Sequence, residues 1–385
     1  MRLPIYLDHQ ATTPVAPEVF EAMRPYFREH FGNPSSRSHA FGWAADQAVE
    51  AARGQVAALI GCKPMEVVFT SGATEADNLA VRGVAQAYRE KGTHLVTTQF
   101  EHHAVLDPCK RLEKEGFQVT YLPVGREGVV DPADVEKALT AKTILVSIMH
   151  VNNEIGTVQP LAEIGKLCKA RGVLFHTDAV QGVGKLPISV DGMGIDLLSL
   201  TAHKVYGPKG IGALYVRMSA PRVRLVPLLD GGGQEKGRRS GTLNVPGIVG
   251  LGAACELAGQ LAKAEAERLT ALRERLWQGL SMRLDRIRIN GHPTARIPGN
   301  LNVAFEDVEA GALIMSLKDI ALSPGSACSS GAAEASHVLR ALGIGDLAHS
   351  SIRFGLGRGT TEEEIDHTVA RVAEEVGRLR ARRAR

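Results

Sequence analysis

The sequence has 385 residues, 44% hydrophobic and 23% charged, and its 45 basic residues against 42 acidic ones leave a formal charge of +3. These proportions are those of ordinary globular proteins. They exclude a disordered, collagenous or low-complexity chain, and the charge is too small for a dedicated polyanion binder, so no direct nucleic-acid partner is expected. Apolar stretches such as 143–151 fall far short of the roughly 20 residues of a spanning helix. The N-terminus lacks the apolar region of a signal peptide, so the expectation is a cytoplasmic protein with no membrane partner. Cys62, Cys109, Cys168, Cys255 and Cys328 are too far apart for a zinc motif or a redox pair, and too few for a disulfide framework.

At roughly 100–200 residues per domain, this length suggests two or three domains. Pro4–Leu7 opens the chain as a strand-like segment. From about residue 50 to 217, short apolar, β-branched runs alternate with helical spacing. The predicted strands are Val67–Thr70, His94–Thr98, Val119–Leu122, Thr143–His150, Leu174–Thr177, Leu197–Leu200 and Gly212–Val216. Helical spacing separates several of them, as at 75–88 and 161–170. This alternation predicts an α/β domain whose largely parallel, buried sheet carries ligand chemistry at the strand C-termini. Near residue 250 the pattern changes. Leu257, Leu261, Leu269, Leu272, Leu276, Leu280 and Leu284 keep helical spacing through a long amphipathic stretch, and a shorter α/β mix follows. Thr361 and Glu364 form a capping-box signature for the last helix. The reading is a large domain over 15–257 and a smaller one made of 1–14 and 258–385. Five arginines lie between 378 and 385. They read as cations complementing a helix end, the alternative being a docking strip for an acidic partner.

Four motifs can carry chemistry. Thr70-Ser71-Gly72-Ala73-Thr74-Glu75 joins a strand to a helix; small residues there let backbone N–H groups and the helix start meet an anion, although a plain turn and cap has the same appearance. His176-Thr177-Asp178 ends a buried strand in an acid, either a cap or a carboxylate facing a cationic heterocycle. His203-Lys204 follows another apolar strand and precedes a Gly/Pro-rich loop. A desolvated lysine there is a Schiff-base candidate, and a snorkelling or ion-paired lysine is the alternative. Finally, Cys328 sits in Gly325-Ser326-Ala327-Cys328-Ser329-Ser330-Gly331, a loop composition in which a thiol is a reactive candidate and not a packing residue. Most of the other four cysteines, in or near helical or turn patterns, read as inert.

An anion-binding helix start, an acid at a strand end and a lysine at a later one, in that chain order, are the equipment for pyridoxal phosphate. The residues also carry a resemblance. Ala11-Thr12-Thr13-Pro14, Phe31-Gly32-Asn33-Pro34-Ser35-Ser36, Glu101-His102-His103-Ala104-Val105 and Val151-Asn152-Asn153-Glu154-Ile155-Gly156 are landmarks, together with Asp178 to Gln181, Arg239-Ser240-Gly241-Thr242 and the Cys328 loop. On these the chain resembles, almost from end to end, the cysteine desulfurases of the iron–sulfur-cluster assembly and nitrogen-fixation group. These are fold-type-I pyridoxal-phosphate enzymes of the class-V aminotransferase branch.

The resemblance implies an α/β fold: a large domain with a mostly parallel mixed sheet flanked by helices, plus a smaller α/β domain carrying the Cys328 loop. It implies pyridoxal 5'-phosphate held covalently by Lys204, which then acts as base and acid at the substrate Cα. Asp178 would pair with the pyridine nitrogen, Gln181 with the ring hydroxyl, and His102 would stack on the ring. Ala73 through its backbone, Thr74, Thr201 and His203 would hold the phosphate, joined by Thr242 from the neighbouring subunit of a homodimer. Asn33 and Arg353 would bind the substrate carboxylate, and Asn153 would lie near ring and substrate. L-cysteine would become L-alanine, leaving a persulfide on Cys328 that passes to an iron–sulfur scaffold protein or other sulfur acceptors. No resident metal is implied, although Cys328 would contact a nascent cluster transiently. In housekeeping members a longer C-terminal tail takes part in scaffold docking; here the terminal arginines are expected to contribute instead.

Overall fold

The computed structural model describes residues 3–220, 222–324 and 336–383, so Cys328 lies outside the described residues. In chain order, β1 (Ile5–Tyr6), α1 (Pro17–Met23) and α2 (Ala40–Ile60) come first. Then follow β2 (Val67–Thr70), α3 (Ala73–Ala87), β3 (His94–Thr98), α4 (His103–Lys114), β4 (Gln118–Leu122), α5 (Pro132–Ala138), β5 (Thr143–Ser147), α6 (Leu161–Arg171), β6 (Leu174–Asp178), β7 (Leu197–Thr201) and β8 (Gly212–Val216). The rest is α7 (Val245–Arg283), β9 (Ile287–Ile289), β10 (Asn300–Phe305), α8 (Ala310–Ser316), β11 (Ile320–Ala321), α9 (His337–Ala341), β12 (Ser351–Gly355) and α10 (Glu362–Arg383).

Seven strands form one mixed sheet in the order β2-β8-β7-β6-β5-β3-β4. β8 runs antiparallel to both its neighbours, and the other pairings are parallel. Successive side chains of a strand face opposite sides, and here both sides are apolar cores. Val67 and Phe69 of β2, with Leu198 and Leu200 of β7, face one cluster; Val68 and Leu197 face the other, under α3 and α4. Two-sided burial explains why these strands read as unbroken apolar runs. β5 ends at Ser147, short of the expected His150. Ile148 and His150 still donate to the carbonyls of His176 and Asp178, but β3 no longer flanks them.

Apart from the cores on the two faces of the large sheet, a second region's core gathers β1, the three-stranded antiparallel sheet β12-β10-β9 and α10. β1 pairs parallel with β11, Ile5 opposite Ile320 and Tyr6 opposite Ala321. The helix expected near 257 begins earlier. α7 is 39 residues long; Val245, Ile248, Leu251 and Cys255 belong to the first core, and Leu272, Leu276 and Leu280 to the second. It also holds an 18-residue window of mean hydropathy 1.3, half buried inside the protein. By length and composition alone that passes for a membrane span, which reading the short apolar runs did not anticipate; its apolar face is spent on the two cores.

The capping box forms: the Thr361 N–H donates to Glu364 Oε2 at 3.0 Å and the Glu364 N–H to Thr361 Oγ1 at 3.2 Å. The arginine-rich end is more structural than a docking strip requires. Arg380 donates to the carbonyls of Asp285, Arg286 and Glu306, and its side chain is only 11% exposed. Arg380→Ala is therefore expected to lower stability by about 1–2 kcal/mol, whereas exposed Arg382→Ala leaves the denaturant midpoint unchanged. Urea unfolding with an unaltered slope checks this.

Candidate active site

The C-terminal ends of β2, β6 and β7 open onto one cavity of about 540 Å³. Its lining includes Ala73, Thr74, His102, Asn153, Asp178, Gln181, Thr201, His203, Lys204 and Arg353. Ten of the expected site residues, scattered over 280 positions from 73 to 353, thus meet at one place. Asn33 and Thr242 do not. Both are exposed and lie outside the lining of a single chain, and Asn33 Oδ1 accepts the Ser35 N–H in a local turn.

Each wall has a local cause. β2 ends at Thr70, and Gly72 adopts φ 154°, a conformation that side chains rarely allow. No side chain caps α3, so its first turn presents backbone donors and the positive end of the helix dipole to the cavity. Glu75, in that first turn, also lines the cavity, and its carboxylate is engaged: it accepts Arg239 Nε at 2.8 Å and the Ser71 N–H at 2.8 Å. These bonds hold its carboxyl below the usual range despite burial.

His102 caps α4, its Nδ1 accepting the Ala104 N–H at 3.1 Å. That bond requires an unprotonated Nδ1, so the neutral ring carries its proton on Nε2. Asp178, the last residue of β6, is buried and accepts the Val180 N–H at 3.0 Å. Burial raises its carboxyl, opposed by the Val180 N–H and the positive charge of Lys204. Lys204 ends the short turn after β7 and points its amine at two main-chain carbonyls, Gln10 O at 2.5 Å and Ala11 O at 2.6 Å. Beside it, His203 Nδ1 lies 3.1 Å from Thr12 Oγ1, and burial, with the nearby lysines, pulls its ring down to about 4. The Thr201 hydroxyl lines the cavity and donates to Ile211 O at 3.1 Å. Arg353, only 2% exposed, donates to Asp8 Oδ1 and to Asn153 O, both at 2.8 Å.

Several participants were not anticipated. Glu154 lines the cavity and accepts the Ser336 hydroxyl at 2.5 Å. Glu101 is fully buried, accepts Thr98 Oγ1 and the Met149 N–H, and is pushed by burial up to about 8. Asp77, also buried, is held well above the usual carboxylate range by burial and by Asp178. None of the three stands out in the sequence: Glu101 is flanked by Gln99 and two histidines, Glu154 follows two asparagines, and Asp77 lies between Glu75 and Asn78. The four described cysteines match their inert reading. Burial pushes the thiols of Cys62, Cys109, Cys168 and Cys255 up to about 12.

A sheet of this order, with an uncapped helix start, a buried acid and a lysine at neighbouring strand ends, is the frame of a pyridoxal-phosphate enzyme. The chain belongs to the class-V aminotransferase family, which it matches over residues 5–368. Within it, the relatives are cysteine desulfurases. Cysteine desulfurase IscS of Anaeromyxobacter sp. (strain Fw109-5) is 61% identical over 381 residues, covering 99% of this chain and 94% of the relative. The cysteine desulfurase of Homo sapiens is 55% identical over 378 residues, covering 98% of this chain and 82% of its own. Among solved structures, a NifS-like protein aligns with TM-score 0.91 at 38% identity, covering 97% of this chain and all of that one. SspA in complex with cysteine aligns with TM-score 0.82 at 41% identity, covering 91% and 98%.

Pyridoxal phosphate is the cofactor of this family, and the residues present fit it. The bare α3 start suits a phosphate. The amine of Lys204 and the carboxylate of Asp178 line the same cavity, and the Nδ1 bond of His102 fixes its ring at the cavity wall.

Proposed function

We propose that this chain takes sulfur from L-cysteine, releases L-alanine and keeps the sulfur as a persulfide on Cys328 for iron–sulfur cluster assembly and other acceptors. The observation that carries this reading is the meeting of Lys204 and Asp178 in one cavity beneath the uncapped start of α3. Pyridoxal phosphate, bound through Lys204, supplies the electron sink that makes the substrate Cα proton acidic. The backbone of Ala73, with Thr74, Thr201 and His203, holds the phosphate. Asp178 would pair with the ring nitrogen and Gln181 with the ring hydroxyl, and His102 and Asn153 would hold the ring from the cavity wall. Lys204 takes the proton from Cα and returns it. Arg353 and Asn33 bind the substrate carboxylate. The Cys328 thiolate then attacks the substrate sulfur. One S–S bond forms as the C–S bond breaks, the electron pair returns to the carbon skeleton, and protonation gives alanine. L-cysteine and thiol become L-alanine and persulfide with no external oxidant or reductant.

The large unit is residues 15–257, and the smaller one, carrying Cys328, is 1–14 with 258–385. The working form is a cytoplasmic homodimer in which Thr242 reaches the cofactor phosphate of the second copy. Supporting the dimer is an aromatic patch beside Asn33: Phe27, Phe31, Phe41 and Trp43 are each more than half exposed, which is unusual for a lone chain. An iron–sulfur scaffold protein is the sulfur acceptor in this reading.

The test mixes purified protein with L-cysteine and a reducing thiol and quantifies sulfide and alanine. Wild type is expected to give equal amounts. Cys328→Ala is expected to keep the cofactor colour and lose at least about a hundredfold in both products. A variant that desulfurises at the wild-type rate would overturn the persulfide route.

A further inference from the structure

The turn after β6 places a second lysine behind the site. Gly182 and Val183 donate their N–H groups to Ala179 O, and Lys185 and Leu186 donate theirs to Gly182 O. This winding sets residues 181 and 185 on the same side. Lys185 Nζ donates to Gln181 Oε1 at 2.8 Å. Among the described residues that amide oxygen is its one hydrogen-bond partner, and no carboxylate neutralises it. Placing an amine where it meets no acid is costly. Desolvation, with Lys204 and Arg353 adding repulsion, pulls Lys185 down to about 7. In either protonation state it keeps an N–H to donate.

The other end of the Gln181 amide is equally constrained. Its Nε2 donates to Gln10 O at 2.9 Å, and the same carbonyl accepts Lys204 Nζ at 2.5 Å. An amide has two orientations related by a flip. A donor at one end and a carbonyl at the other select one of them. A continuous chain thus runs from Lys185 through the Gln181 amide and Gln10 O to Lys204.

We propose that Lys185 is a positioning residue of this site: it holds the Gln181 amide with its donor nitrogen at the Gln10 carbonyl and the cofactor cavity. The inference rests on the proposed function only in taking pyridoxal phosphate as the occupant. Lys185→Met removes the donor and keeps the length of the side chain. Lys185→Arg keeps a donor, and its larger head has room in the neighbouring cavity lined by Lys185, Ala258, Ala262 and Leu269.

The experiment titrates pyridoxal phosphate into apoprotein and records the dissociation constant and the visible absorption maximum. The proteins are wild type, Lys185→Met, Lys185→Arg, Gln181→Leu and the double variant Lys185→Met/Gln181→Leu. Lys185→Met is expected to bind about tenfold more weakly, the size of one charge-assisted hydrogen bond. Its absorption maximum should move in the direction that Gln181→Leu produces. The double variant should bind no more weakly than Gln181→Leu alone, because the lysine acts through the amide. Lys185→Arg should recover wild-type binding within about threefold. The proposal is overturned if Lys185→Met binds like wild type while Gln181→Leu does not, or if the two losses multiply in the double variant. A merely structural lysine would lower the melting temperature without that coupling. Wild-type apoprotein that takes up no cofactor would overturn the proposed function along with this inference.

Discussion

Lys204→Ala is expected to cost at least about ten-thousandfold in alanine formation and to yield protein that loses its cofactor on dialysis. Two effects add. The variant has no amine to hold the cofactor covalently, and it has no group placed to move the proton at Cα. The fold should survive. Lys204 ends a short turn whose main-chain bonds, such as Val205 N–H to Ala202 O, do not involve its side chain. Its side chain donates to Gln10 O and Ala11 O. Of these two carbonyls, Gln10 O keeps a donor in Gln181 Nε2, and Ala11 O is left to water. Far-ultraviolet circular dichroism and a melting curve separate loss of chemistry from loss of structure. Turnover within tenfold of wild type, with a native melt, would remove Lys204 from the mechanism.

How much of this could be read from residues alone depends on where the constraint comes from. β2 and β7 were legible because each is buried on both faces, and the apolar run needs no partner to be seen. The start of α7 was not. Pro246, Gly247, Gly250 and Gly252 look like loop composition, yet they lie in the first turns of the helix. The reason is packing. A Cβ on Gly250 would come 2.5 Å from Met23 Sδ, and one on Gly252 would come 2.7 Å from Ala52 Cα. Glycine lets α7 lie against α1 and α2, a requirement set by helices two hundred residues away in sequence. The site divides in the same way. Asp178 and Lys204 announce themselves as charges ending apolar strands. Gln10 and Ala11 cannot, because they contribute carbonyls, which every residue has. Lys185 lies in a Gly/Val run seven residues past the end of β6, without the closely preceding apolar strand that drew attention to Lys204.

Asp178→Asn is the second large effect, expected to reduce turnover about a hundredfold or more while leaving the apoprotein at least as heat-stable as wild type. The two outcomes have one origin. Asp178 lies close to two other buried acids. Its charge helps hold Asp77 well above the usual range, and burial, with Asp178 adding to it, lifts Glu101 to about 8. Against that repulsion, the Val180 N–H and the positive charge of Lys204 favour the carboxylate. An amide keeps the shape, and its oxygen still accepts the Val180 N–H that now meets Oδ1. It removes the negative charge and, in the proposed mechanism, what would keep a proton on the cofactor ring nitrogen. The buried cluster then has one repulsive charge fewer, a gain in stability bought with function. Steady-state turnover and a melting curve on the same preparations test both halves. Unchanged turnover would detach Asp178 from the ring nitrogen. A large fall in melting temperature would show that its carboxylate serves the fold, which the geometry of a single Val180 bond does not support.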